Sequence, residues 1–324
     1  MGNGISSPPG EKLIGLANFG NTCYCNAVLQ VLYFCEPFRA GLAAHHRLKG
    51  KKGEATLLDC LAELFEKIST QKRATGTVTP KSFVAKLQHD NETFRGTLHQ
   101  DAHEFLNYVV NAICDLVQAE TANKERTWVH ELFEGTLTNE TTCLGCHAVS
   151  RRDETFLDLS VEIEPHASLT FCLKQFGMVE TLSGDDQFSC DACHSRQDAE
   201  KRLFLRETPP VLALHLKRFK FMEASQSFAK LFHRVLFPDE LQLPSRLMLS
   251  TSNETYDLFG IVVHIGNGLD EGHYVSLILW KTQWLLFDDD HVSKVDEGML
   301  DVCYGDGDAT TSSATGYLLF YKRR

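Results

Sequence analysis

Cys23 heads a run, Cys23-Tyr-Cys-Asn-Ala-Val-Leu-Gln-Val-Leu-Tyr-Phe34, in which Val28, Leu29, Val31, Leu32 and Phe34 suit a largely buried helix that must end before Pro37. Gly20 and Asn21 are turn formers and Thr22 is a candidate cap, so a cysteine is placed at a helix N-terminus. There the unpaired backbone N–H groups and the helix dipole favour the thiolate, the form of cysteine that attacks carbonyl carbon. By itself a cysteine in an apolar helix is ordinarily a structural residue. Its meaning depends on two stretches far downstream, Glu271-Gly-His-Tyr-Val-Ser-Leu-Ile-Leu-Trp280 and Trp284-Leu-Leu-Phe-Asp-Asp-Asp290. They read as the strands of a hairpin, the first entered through a glycine and the second ending in three carboxylates. Such a hairpin sets His273 beside Asp288, and an imidazole oriented by a carboxylate is what a cysteine nucleophile requires for acyl transfer.

Each of these residues has rivals. Cys25, two positions on, points to a different face of the same helix, and spacing alone does not say which thiol meets the histidine. His215 and His264 lie inside apolar strands, where a satisfied core or edge histidine is the usual outcome. His273 follows a glycine at a strand entrance, a better position for a side chain facing a cleft.

A second constellation is built from thiols alone. Cys143-Leu-Gly-Cys146 and Cys190-Asp-Ala-Cys193 are tight knuckles, each presenting two thiolates to one ion, and together they complete the tetrahedral four-cysteine set of a structural zinc. The long gap between the pairs exceeds that of a compact zinc ribbon, so unrelated knuckles or a redox pair are the alternatives. No thioredoxin-like βαβ pattern surrounds either pair, which favours the metal. A closed shell of four thiolates leaves no open position for substrate water, so this ion is structural and a metalloprotease is excluded.

The elements that must position these groups change character along the chain. Leu57, Leu61, Leu64, Phe65 and Ile68 follow the helical period, Thr79-Pro-Lys-Ser-Phe-Val-Ala-Lys-Leu87 reads as a helix with Pro80 in its first turn, and Gln100 to Gln118 reads as a third. In that third helix Gln100, Asp101 and Glu104 fit a polar first turn stabilised by the dipole. After a polar linker, 119–127, the pattern turns to strands: from Phe133 to Asn139, through Leu157, Leu159, Val161 and Ile163, then Val211–Phe219, Tyr256–His264, the two strands above and Gly316–Lys322. Together the later segments predict a mostly antiparallel sheet with a helical first third, an α+β protein.

Composition bounds the function. A chain of 324 residues with 43% hydrophobic and 23% charged residues can bury a large core in one domain or a few subdomains. No run approaches the roughly 18 apolar residues of a membrane helix, and the N-terminus lacks the basic start and apolar core of a secretory signal. The 11 cysteines, an odd number, read as reduced thiols and metal ligands rather than disulfides, which places the chain in the cytoplasm and also allows the nucleus. A net charge of −11 argues against nucleic-acid binding and is compatible with a basic protein substrate. Residues 1–12 have the composition of a disordered leader. Within it Met1-Gly-Asn-Gly-Ile-Ser6 matches the myristoylation pattern, and one chain on Gly2 would give weak, reversible membrane contact.

The boxes Gly20-Asn-Thr-Cys-Tyr24, Gln100-Asp-Ala-His-Glu-Phe105, Gly272-His-Tyr274 and Phe287-Asp-Asp289 resemble the ubiquitin-specific proteases, cysteine deubiquitinases of papain-like fold. The resemblance runs from about Gly15 to Tyr321. In wording such as Phe-Gly-Asn-Thr-Cys-Tyr-Cys-Asn, Thr-Trp-Val-His-Glu and Ala-Leu-His-Leu-Lys-Arg-Phe-Lys it is nearest to the small members switched on by WD40 propeller proteins. It implies a helical thumb (about 13–126), zinc-bearing β fingers that hold the globular body of ubiquitin (about 127–210) and a β-sheet palm (about 211–324). It also implies ubiquitin and ubiquitinated proteins as partners, and it decides for Cys23 over Cys25. By the same resemblance Asn18 helps form the oxyanion hole and Asp101, with Gln100, binds the basic tail of ubiquitin. Asp288 orients His273, with Asp289 kept as a second acidic partner. The alternatives are an inactive relative serving as a ubiquitin-binding scaffold and a zinc-ribbon adaptor without catalysis. The adaptor leaves the Cys23 and His273 boxes unexplained.

Overall fold

The computed structural model describes residues 12–49, 53–96, 98–120, 126–223, 226–249, 254–269, 271–296, 298–307 and 312–324. Most of the leader, with Gly2, and part of the 119–127 linker lie outside the described residues.

The first third is a helical lobe. Its centre is α1 (Cys23–Phe34), in which every residue except Phe34 is buried, as expected for a helix apolar on all sides. Around it lie α2 (Glu36–Lys49), α3 (Leu57–Ser69), α4 (Lys81–Asp90) and α5 (Ala102–Glu120). The α3 helix starts on a reciprocal cap, Thr56 accepting from the Asp59 backbone while the Asp59 carboxylate accepts from the Thr56 backbone. A helix follows directly on the break at Cys35, with Pro37 in the first turn of α2, where its missing N–H costs nothing. The short α6 (Trp128–Phe133) also belongs to this lobe, since the Trp128 ring closes over Gly41 of α2. Phe133, expected in a strand, ends α6, whose Thr127 cap overrides the local alternation; the strand begins at Gly135.

The sheet lobe is eight-stranded, in the order β19 (His291–Lys294), β18 (Gln283–Asp288), β17 (His273–Trp280), β16 (Thr255–Ile265), β20 (Ala314–Arg323), β11 (Val211–Leu216) and β5 (Leu159–Val161), with β15 (Glu240–Gln242) paired to β16. Every pairing is antiparallel except that of β5 with β11. The strand β17 carries the logic of the core. Tyr274 and Ile278 join the cluster shared with the helical lobe, whereas Val275 and Leu277 join a second cluster on the opposite face. A sheet covered on both faces needs apolar residues at consecutive positions, which is why β17 reads as an unbroken hydrophobic run. The second cover includes α7 (Leu169–Phe176) and α8 (Gly298–Cys303).

A four-stranded sheet, β4 (Val149–Phe156), β3 (Gly135–Cys143), β10 (Ala199–Glu207) and β7 (Glu180–Leu182), makes the projection and carries at its end the small hairpin β8 (Phe188–Cys190) and β9 (Ser195–Gln197). Three further pairs complete the strands: β1 (Leu13–Leu16) with β2 (Thr75–Val78), β6 (Ala167–Ser168) with β14 (Val235–Leu236), and β12 (Phe219–Met222) with β13 (Ser227–Lys230). Among the described residues no helix is long and apolar enough to cross a membrane.

Candidate active site

The two lobes meet where the N-terminus of α1 faces the β17–β18 hairpin. Cys23 opens α1, while Thr22 occupies the cap position without capping through its side chain. Instead the Thr22 hydroxyl and backbone N–H donate to Asn18 Oδ1, both at 3.2 Å, and the Phe19 N–H donates to the Thr22 hydroxyl at 3.0 Å. The turn before Cys23 thus ties itself to Asn18 rather than to the helix.

Gly272 holds φ at +132°, in the region that favours glycine, and an added Cβ would stand 2.5 Å from the Ile265 carbonyl oxygen. This tight entrance turns His273 toward Cys23. His273 Nε2 donates to Asp288 Oδ1 at 2.6 Å, across the hairpin as the sequence pattern requires, which leaves Nδ1 for the thiol. Burial raises the Cys23 thiol, but hydrogen bonding to His273, to His99 and to the Tyr274 backbone outweighs it, and the net result is a fall to about 7. His273 is pushed up to about 9, chiefly by its hydrogen bond to Cys23, against burial and with help from Asp288. Since the imidazole holds its proton above the pH at which the thiol loses its own, the pair rests near neutrality as thiolate and imidazolium.

The acidic neighbours divide. Asp288 alone bonds His273; the carboxylate of Asp289 accepts from Asn18 Nδ2 and Asn26 Nδ2, each at 2.8 Å. Asp289, at φ +49°, also accepts the Leu16 backbone N–H at 2.8 Å. At this junction Gly15 lets β1 approach so closely that a Cβ would lie 2.5 Å from the Asp290 carbonyl carbon. The charge of Asp289 therefore positions the amide of Asn18, which is exposed beside Cys23 and keeps a second N–H for a ligand.

The rival residues are accounted for by burial. Cys25 is fully buried and its thiol is pushed well up. His215 bonds the Ser160 hydroxyl at 2.9 Å and stacks on His103 with ring centroids 3.7 Å apart; burial first, and then His103, push it down to about 2. His264 contacts Lys230 Nζ at 2.8 Å and is pushed down to about 3, mainly by burial. Asp101 accepts from the backbone N–H groups of His103 and Glu104 at the start of α5, and its other oxygen accepts from the Tyr317 hydroxyl of the sheet lobe. It is thus both a helix cap and a bridge between lobes. Gln100 precedes it and is half-buried. An open cleft of about 650 Å³ lies between Phe221 and Phe228 of the β12–β13 hairpin and Asn267, Gly268, Leu269 and Glu271.

At the far end of the projection the four knuckle cysteines converge, their sulfurs all within 4.8 Å of one another. Cys143 and Cys193 are 3.9 Å apart, Cys146 and Cys190 3.6 Å. A tetrahedron with zinc–sulfur bonds of about 2.3 Å has edges of about 3.8 Å, so these two edges are compatible with a zinc site. Each knuckle is closed by a histidine with positive φ, His147 at +60° and His194 at +52°.

Two features were not read from the sequence. One is the bond of Asp289 to Asn18 and Asn26, which spans more than 260 positions. The other is His99, whose Nε2 lies 3.8 Å from Cys23 Sγ. Its place immediately before the Gln100-Asp101 box was the available signal.

With thiol, imidazole and carboxylate gathered at a lobe interface, the fold and site are those of a papain-like cysteine hydrolase with thumb, palm and a projection whose four-cysteine tip is compatible with zinc. The pattern of the ubiquitin carboxyl-terminal hydrolases matches residues 14–321, and the chain belongs to that family, the cysteine-type deubiquitinating enzymes. It is 45% identical to ubiquitin carboxyl-terminal hydrolase 4 of Arabidopsis thaliana over 98% of this chain and 95% of that protein. It is 46% identical to ubiquitin carboxyl-terminal hydrolase 12 of Salmo salar over 98% and 91%. Among solved structures it superposes on a chain of the SAGA Ubp8/Sgf11/Sus1/Sgf73 DUB module bound to ubiquitin aldehyde, with TM-score 0.82 and 27% identity over 98% of this chain and 71% of that one.

Proposed function

We propose that this chain hydrolyses the isopeptide bond between the C-terminal glycine of ubiquitin and a substrate lysine. The observation that carries the reading is His273 held between Cys23 and Asp288. The Cys23 thiolate attacks the glycine carbonyl, and Asn18 with backbone N–H groups receives the negative oxygen, a contribution worth about 3 kcal/mol for a preorganised donor. As the tetrahedral species collapses, the C–N bond breaks and the His273 imidazolium protonates the departing lysine amine. Water then attacks the thioester, giving its proton to His273; the C–S bond breaks, releasing the ubiquitin carboxylate and restoring Cys23. Asp288 keeps the imidazole in place throughout, and Asp289 acts on Asn18. Asp101, with Gln100, faces the basic ubiquitin tail.

Zinc on Cys143, Cys146, Cys190 and Cys193 holds the end of the projection together, a reading supported by the close approach of the four sulfurs. The projection then cradles the body of ubiquitin. Stimulation by a WD40-repeat partner is supported by the wording of the Cys23, Thr127 and Ala213 boxes, and adding such a protein to a turnover assay tests it. Cytoplasmic and nuclear residence, supported by the free cysteines, is read by fractionation; mass spectrometry of the N-terminus reads acylation of Gly2.

The deciding experiment is labelling by a ubiquitin probe with a C-terminal thiol-reactive electrophile, with Cys23→Ala, Cys25→Ala and His273→Ala alongside. Adduct lost with Cys23→Ala and kept with Cys25→Ala is expected. Ubiquitin binding without any adduct, even with a WD40 protein present, would replace the hydrolase reading with a scaffold.

A further inference from the structure

Two imidazoles stand beside the nucleophilic sulfur, and only one has a carboxylate behind it. His273 is backed by Asp288. His99 approaches from the start of α5, its Nε2 3.8 Å from Cys23 Sγ, and lies flat on the Tyr274 ring with centroids 5.2 Å apart and planes 17° apart. Its other nitrogen, Nδ1, is buried and has no hydrogen-bond partner among the described residues. The next ring, His264, stands edge-on at 6.0 Å and is itself joined to Lys230.

We propose that His99 is a further catalytic residue: a neutral imidazole that donates its Nε2–H to the Cys23 thiolate and stabilises the sulfur without exchanging a proton. The inference rests on Cys23 being the nucleophile. The argument for the neutral form is one of unpaired groups. An imidazolium would bury a second N–H with nothing to accept it, near Lys230 and His273, whereas the tautomer with the proton on Nδ1 would aim a lone pair at an anion. The Nε2–H form buries only an unmet acceptor and points its one donor at the charge. The titratable groups around it are Cys23 on α1, His273 and Tyr274 on β17, His264 on β16, Lys230 on β13 and Asp101 beyond Tyr274. His99 has no acidic partner among the described residues, so the two imidazoles divide the labour: His273 moves the proton and His99 holds the charge. Cys23 leaves the acyl-enzyme as a thiolate, so the same N–H assists deacylation.

The test is the pH dependence of Cys23 alkylation by iodoacetamide in the whole chain, in a Cys25→Ala background with the modified position assigned to Cys23 rather than Cys35 by fragmentation of the peptide. His99→Phe keeps the stack on Tyr274 and removes the donor; the alkylation midpoint should rise from about 7 by about one pH unit. His99→Gln returns an N–H donor that does not titrate, and most of the shift should vanish. Turnover of a ubiquitin substrate at neutral pH should fall about fivefold in His99→Phe, in step with the lost thiolate. A midpoint unmoved by His99→Phe would make His99 a packing residue and overturn the inference. Should that variant not fold, nitrogen chemical shifts of His99 in the unmodified protein decide: an Nδ1–H tautomer or an imidazolium at pH 8 overturns it equally. Probe labelling at Cys23 separates the two failures, since an adduct with an unmoved midpoint refutes only His99, and no adduct refutes the nucleophile.

Discussion

The lobe interface and the tip of the projection both gather thiols, and they use them in opposite ways. At the interface one sulfur, Cys23, meets two imidazoles and a backbone amide, which lower its pKa while leaving it without a permanent partner. At the tip four sulfurs crowd together, an arrangement that cannot carry four negative charges unless a cation shares them. The comparison teaches that burial by itself raises a thiol's pKa and that its neighbours decide whether this is outweighed. Cys25, two residues from Cys23, is pushed well up, chiefly by burial.

The contrast breaks most visibly at Cys23. Cys23→Ala should reduce ubiquitin hydrolysis by about 10⁴-fold or more while leaving the melting midpoint and the zinc content unchanged. Next, Asp289→Ala and Asn18→Ala should each lower kcat by about 10²-fold, and the double variant should be no worse than either, because the carboxylate works through the amide. Additive losses would mean that Asp289 acts on some other group. At the tip, Cys190→Ala or a chelator should release one zinc per chain and raise KM about tenfold through a disordered projection. The alkylation midpoint of Cys23 should stay put; a shift there would show that the two regions are coupled.

Titration sharpens the same comparison. Below about 7 Cys23 takes up a proton and the nucleophile is lost; above about 9 His273 gives up the proton that the leaving amine needs. A bell-shaped kcat/KM should follow, falling about tenfold per pH unit outside those limits. The smallest effect belongs to Cys25→Ala, which should keep probe labelling and cost about 1 kcal/mol in a denaturant melt, the price of a small cavity.

Much of this was open to reading in the chain itself. The extent of α1, the hairpin that joins His273 to Asp288, and the two knuckles are local patterns, set by periodicity, glycine placement and short spacing. Where reading failed, a local preference lost to a tertiary partner. Thr22 has the side chain of a cap but bonds Asn18, because Asp289 holds that amide from across the interface. Phe133 alternates with its neighbours as a strand would, yet Thr127 caps a helix that packs on α2. His215 and His264 were weighed as rivals of His273 because they sit in strands; His99, in an unpatterned segment before α5, is the histidine that reaches the sulfur.

By itself, then, the sequence determined the reactive groups and the elements that carry them, since residue type and short-range spacing depend on neighbours a few positions away. Which of two adjacent thiols meets an imidazole, which of two adjacent carboxylates bonds it, and which amide the other holds were decided only when the helical lobe closed on the sheet. Those choices turn on contacts of a few ångströms between segments more than 200 residues apart, and no local rule encodes the distance between them.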